Sequence, residues 1–299
     1  MLIHYRELMH DLAQRFSDFA KSFEKGAPLY SRIAARVANE PAVLDVMSVA
    51  PIAQRIPVLL FASAHYLLLN DRDHELGQHY PNIASTAPTG DAADLFVAFV
   101  LERSDAMKEL LANRSTQTNE IGRCNWFLFP FAMLDAEVGP LAQVDVGSSA
   151  GLNQLFPYLG FDLTPGGFIG DSNDLTIACD ITGTPPVLVG RPQVIWSMGL
   201  DAKPIDVRND AEVRWLEACV WPDQVERFDD ARPAGLERRM FRERRAADRR
   251  AEVEAIGILF RGDGIEYRFA GDLFGQGQLH QDTVDRGIGI EARNAFQHF

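Results

Sequence analysis

The chain has 299 residues, 46% of them hydrophobic, and a formal net charge of -13. The hydrophobic share excludes wholesale disorder, and the length suits one large domain or two modest ones. An excess of 42 acids over 29 bases repels phosphate backbones, which excludes general nucleic-acid binding as the main role.

The cysteines Cys124, Cys179 and Cys219 lie far apart and form no CxxC pair. Neither a zinc ribbon, another metal site nor a disulfide framework is expected, and a reducing cytoplasm suits the composition. Arg6 and Glu7 interrupt the N-terminus, so no signal peptide is expected. The longest apolar stretch, residues 57–69, is too short to span a membrane and reads as a buried helix.

Residues 1–135 read as a helical region. Tyr5, Leu8, Leu12, Phe16, Phe19 and Phe23 recur at helical spacing. Residues 51–69, 91–111 and 119–135 read as three further helices, the last bent at Pro130. No strand is expected before residue 141. Residues 136–299 read as an α/β domain. Leu141–Val146 is a strand running into a Gly/Ser-rich turn, and residues 152–158 are a candidate helix. Strand candidates follow at 175–181, 187–189 and 194–196, then a helix at 210–220. Residues 226–255 read as an Arg- and Glu-laced helix, and 257–260 with 265–269 as a hairpin turned by Arg-Gly-Asp-Gly.

One segment carries chemistry: Val144-Asp145-Val146-Gly147-Ser148-Ser149-Ala150-Gly151-Leu152-Asn153. It permits three readings. The first is a cofactor loop. An acid ends a strand, glycine at 147 allows a tight turn, and small residues at 149 and 151 let backbone approach a ligand. A helix N-terminus near 150–152 favours polar or anionic groups. The second is a nucleophile elbow, since Gly147-Ser148-Ser149-Ala150-Gly151 satisfies Gly-x-Ser-x-Gly with Ser149 as nucleophile. Against it, some 140 mostly helical residues precede the motif, and only His280 and His298 follow as bases. The third is a strand-to-helix turn without a ligand.

The loop resembles the first motif of S-adenosylmethionine-dependent methyltransferases, an acid followed by alternating glycines, with Ser149 in place of the middle glycine. That resemblance implies a loop at Gly147–Gly151 around the amino-acid part of the cofactor, with Asp145 orienting the loop or the cofactor ammonium. A wider resemblance rests on Ala64-His65-Tyr66-Leu67-Leu68, Thr118-Asn119-Glu120-Ile121-Gly122-Arg123-Cys124, residues 144–153, Trp196-Ser-Met-Gly-Leu-Asp201 with Pro204-Ile-Asp206, and Trp215-Leu216 with Val220-Trp221-Pro222-Asp223-Gln224. Over about residues 5–224 the chain is similar to the bacterial family known as domain of unknown function 2332. The family implies no activity.

The expected fold is therefore α/β: a helical N-terminal region followed by a Rossmann-like, methyltransferase-type sheet, incomplete at the C-terminus. Thirteen of the 25 arginines fall in residues 225–299, where no long apolar parallel strand is expected. Divergence and a frameshift both account for that change.

The expected cofactor is S-adenosylmethionine, held by Asp145, Gly147, Ser148, Ser149, Ala150, Gly151 and Asn153. Asp180 is preferred over Asp162 as the ribose-binding acid after the loop. Glu120 and Arg123, at i and i+3, are candidate catalytic or substrate-binding groups at the pocket mouth, or a helix-start cap and a surface ion pair. The expected partner is a small-molecule methyl acceptor, with no nucleic acid and no membrane. Two alternatives stand beside this reading: an inactive cofactor-fold relic with a binding role, and a hydrolase using Ser149. His65 reads as a hydrogen-bonded core histidine, and His74 and His79, five apart rather than four, as parts of a polar loop.

Overall fold

The computed structural model describes residues 2–171, 175–183, 190–224, 254–261 and 264–269. Seven helices precede the first strand: α1 (Leu2–Ser22), α2 (Pro28–Val37), α3 (Pro41–Met47), α4 (Pro57–Asn70), α5 (Ala92–Glu102), α6 (Ser104–Asn113) and α7 (Cys124–Val138). Proline sets where three of them begin. Pro28, Pro41 and Pro57 each occupy the first turn, where a missing N–H costs nothing and the fixed φ suits the helix. The expected helix over 51–69 is accordingly divided. Ile56 is extended before Pro57, and only the short 3-10 helix Ile52–Gln54 lies upstream. The expected helix over 91–111 is also two, broken where Arg103 leaves helical geometry (φ -104°, ψ 26°). Helix α7 starts after a 3-10 turn at Ile121–Arg123 and runs through Pro130. No helix among the described residues is long and apolar enough to cross a membrane.

After α7 the chain forms β1 (Leu141–Val146), β2 (Leu159–Thr164), β3 (Gly167–Ile169), β4 (Leu175–Asp180), β5 (Val194–Asp201), α8 (Asp210–Cys219), β6 (Glu254–Arg261) and β7 (Gly264–Phe269). They make two small sheets in a mixed α/β fold. The first has the order β1-β5-β6-β7, with β1, β5 and β6 parallel and β7 antiparallel. The second has the order β3-β2-β4. The hairpin expected around Arg-Gly-Asp-Gly is β6–β7, closing at Arg261 and Gly264. Strand β6 pairs in parallel with β5 through Met198 to Asp201, in the part of the chain where no long apolar parallel strand was expected. Strands β2 and β3 were not expected, and β5 runs five residues past its expected end. The candidate strand at 187–189 lies outside the described residues, as does most of the candidate helix at 226–255, whose last two positions open β6.

Two apolar cores form. Helices α1 to α6 enclose one, with Phe16, Tyr30, Phe61, Phe96 and Phe99 at its centre. The other joins Cys124 and Leu128 of α7 to Leu155, Phe156, Phe161 and Ile177. Helix α8 belongs to both: Trp215 and Ala218 enter the first core and Leu216 the second.

Strand β1 inverts the usual pattern. Register places Ala142, Val144 and Val146 on one face with Trp196, Met198 and Leu200, and Gln143 and Asp145 on the other with Ser197 and Gly199. Val144, Val146 and Trp196 are 50%, 67% and 48% exposed, while Gln143 and Ser197 are buried. The polar face is the packed one.

Candidate functional site

The candidate site sits where β1 and β5 end, on that polar face. The segment after β1 turns sharply because three successive alternate residues have positive φ: Gly147 (79°), Ser149 (53°) and Gly151 (70°). Ser149 is the only such non-glycine among the described residues, so this backbone is held against its ordinary preference. Its neighbours supply the restraint. The Gly147 and Ser148 N–H groups donate to the Leu200 carbonyl at 2.7 and 3.3 Å, and the Gly151 N–H to the Ser148 carbonyl at 2.7 Å. The Ser149 N–H donates to Asp201 Oδ2 at 2.7 Å, while Asp201 Oδ1 accepts the Lys203 N–H at the same distance. Ser149 returns its carbonyl to the Ile205 N–H at 3.1 Å.

Residues 152–158, expected as a helix, form a seven-residue 3-10 helix containing Pro157. Pro157 has no N–H to give the Asn153 carbonyl, and a 3-10 helix this short builds little dipole at its N-terminus. The expected attraction of anions to a helix N-terminus therefore falls away. With the amides of residues 147, 148, 149 and 151 engaged within the protein, the loop is not a phosphate cradle either.

The 3-10 helix folds back across the polar sheet face. Gln143 Nε2 donates to the Asn153 carbonyl at 3.2 Å, and the Ser197 hydroxyl donates to Gln143 Oε1 at 3.4 Å. Gly199, paired with Asp145 in the β1–β5 register, makes room for this cover. A Cβ there would run into the Gln154 amide and sit 2.8 Å from the Ser148 Cβ. Buried Ala150 belongs to the second core.

Asp145 is half-buried at the end of β1. Burial raises its carboxyl above the usual range, a hydrogen bond with Asn153 and the charge of Arg123 pull it down, and Asp201 raises it again. Its Oδ2 is buried and has no partner among the described residues. The hydroxyls of Ser148 and Ser149 are also buried and unpartnered. An unsatisfied buried carboxylate oxygen costs free energy unless a ligand or water meets it. The Asn153 side chain also accepts from the Cys124 thiol at 3.7 Å, whose pKa burial raises.

The other candidates divide. Arg123 is exposed and acts on Asp145 electrostatically. Glu120 Oε1 accepts the Gly122 N–H at 3.0 Å and so caps the 3-10 turn before α7. Asp180 is exposed at the end of β4, in the second sheet. Among the described residues no hydrogen bond or ion pair joins it to the loop. Ser149 has no base on its hydroxyl among the described residues, and His280 and His298 lie outside them. His65 is a core histidine between the Ala218 carbonyl (3.1 Å) and the Asn82 amide (3.0 Å). His74 caps the short helix Glu75–His79 by accepting the Leu76 N–H, and the His79 ring lies 3.0 Å from the Thr89 carbonyl.

Sequence reasoning did not place Gly199 or Asp201 beside the loop, although both lie in the Trp196–Asp201 segment that carries the family resemblance. The signal was present: Trp196 to Asp201 is a second short apolar strand ending in an acid, like β1.

No curated protein and no solved structure matches the chain. The family described as an uncharacterized protein conserved in bacteria (DUF2332) matches residues 13–245. That match extends the resemblance past Gln224 and takes in the arginines at 238, 239, 242, 244 and 245. Covering more than three quarters of the sequence, it establishes that this chain belongs to the DUF2332 family.

Proposed function

We propose that the 147–151 loop holds S-adenosylmethionine and that the protein transfers its methyl group to a small acceptor. One observation carries the reading: the unpartnered Asp145 Oδ2 stands beside a second carboxylate, Asp201, on one face of two parallel strand ends. Paired acids with engaged loop amides favour a cationic ligand group over a phosphate. S-Adenosylmethionine carries an ammonium and a sulfonium. The parallel strands β1, β5 and β6 support the reading, because open parallel sheets hold ligands at the carboxyl ends of their strands.

The residues fit that group in named ways. Asp145 Oδ2 accepts from the ammonium. Burial raises the Asp145 carboxyl, and Asn153 and Arg123 oppose that rise. Gly147 leaves the approach open, with no atom within 4 Å of the position a Cβ would take. When bound, the cofactor supplies an electrophilic methyl on a good leaving group, so the protein's task is alignment of the acceptor.

The test is calorimetric titration with S-adenosylhomocysteine beside ATP and NAD. Selective micromolar binding by the wild type, lost in Asp145→Asn with the thermal unfolding unchanged, is the expected result. Absence of binding by the folded chain, or equal binding of ATP, overturns the reading.

A further inference from the structure

We infer a second small-molecule site, for an uncharged single-ring compound with a hydrogen-bond acceptor, in the cavity between residues 117–119 and the end of α8. It does not depend on the cofactor reading. The cavity has a volume of about 240 Å³. Pockets for drug-sized ligands run to roughly 300–1,000 Å³, so this one suits a single-ring molecule.

Its walls set the chemistry. Leu216, Val220 and Trp221 form the apolar side, while Gln117, Thr118, Asn119 and Gln224 supply amides and a hydroxyl. Among the described residues no carboxylate, ammonium or guanidinium lines it. Burial pushes the Cys219 thiol, the titratable group among the described lining residues, up to about 12, so it stays neutral. A charged ligand would therefore lose hydration without gaining a counter-charge.

Asn119 marks the recognition point. It is 5% exposed, it lines the cavity, and among the described residues its Nδ2 has no partner. A buried amide donor without an acceptor is the group that a ligand carbonyl or ether would satisfy.

The walls are held before any ligand arrives. Trp221 packs edge-on against Phe23 with centroids 5.0 Å apart, and lies against Phe19 and Tyr30. The Gln117 N–H donates to Cys219 Sγ at 3.5 Å, and Gln117 Nε2 to the Lys203 carbonyl at 3.3 Å. Little ordering remains to be done on binding, and such preorganisation favours affinity.

The probe is benzamide, with benzoate and benzylamine as its charged counterparts, titrated without cofactor. The readout is the Trp221 indole N–H resonance, assigned with Trp221→Phe. Benzamide is expected to shift it saturably, with both charged analogues at least about tenfold weaker, the cost of an uncompensated buried charge or hydrogen-bond group. Asn119→Leu should weaken benzamide by about tenfold. Thr118→Trp, a substitution at an exposed wall position, should abolish the shift with unfolding unchanged. No saturable shift, comparable binding of the charged analogues, or binding that survives Thr118→Trp overturns the inference. Benzamide binding in a chain that ignores S-adenosylhomocysteine would leave this site standing and remove the cofactor reading.

Discussion

Asp201 holds the loop by accepting two backbone N–H groups, one on each carboxylate oxygen. Asparagine has one acceptor oxygen, so Asp201→Asn turns an NH2 group toward a backbone donor. The expected cost is about 1 kcal/mol, the net worth of one hydrogen bond, since the asparagine oxygen keeps the Ser149 N–H and the Lys203 N–H is exposed; urea unfolding measures it. The same change removes a charge that raises Asp145, so the Asp145 carboxyl should titrate lower in the variant. An unmoved Asp145 in an NMR titration would show that the two acids do not share a site. Asp145 and the glycines of the loop were legible in the sequence, because an acid ending an apolar run before alternating small residues is a local pattern. Asp201 is 52 positions away in the chain from Ser149, and only parallel pairing of β1 with β5 brings them together.

Helix starts show the same division between local and distant causes. The Asp91 carboxylate accepts the N–H groups of both Ala93 and Asp94, at 2.9 and 3.1 Å, at the start of α5. Asn209 accepts a single N–H, from Ala211 at 3.0 Å, at the start of α8. Asp91→Ala is expected to destabilise the protein by about 1 kcal/mol, and by more than Asn209→Ala, because it caps two donors and carries charge at the positive helix end. Chemical denaturation of both variants checks the order; the reverse order would show that tertiary packing, not capping, sets these termini. The long helices and α8 were legible from periodicity and caps. Helices α2 and α3, with ten and seven residues, offer too few turns for an apolar stripe to stand out, although Pro28 and Pro41 marked their starts. Strand β1 was legible as a strand but not in its orientation. Its valines face outward because Gln143 is needed inside, to bond the carbonyl of Asn153.

At the scale of the molecule, α8 and residues 114–117 tie the two cores together. Arg114 pairs with Glu212 at 2.7 Å, Trp215 Nε1 donates to the Ser115 carbonyl at 3.0 Å, and His65 of α4 meets the Ala218 carbonyl. His65 is fully buried, and burial lowers its pKa to about 4 despite the opposing hydrogen bonds from its partners. In the unfolded chain a histidine titrates at its unperturbed value, about 6.5. Between those values the unfolded chain takes up a proton that the folded chain does not. The contribution is therefore complete above the unfolded value and is lost as pH falls toward the folded one, by about 3 kcal/mol in all. His65→Leu should be less stable at neutral pH, because the Ala218 carbonyl loses its donor, yet should lose less stability on acidification. Unfolding free energies at pH 7 and pH 4.5 for the two proteins make the comparison. Parallel losses would mean that His65 is already protonated in the folded protein and that the join between the cores is not the acid-sensitive point; a flatter profile in the variant would place that sensitivity at the contact between α4 and α8.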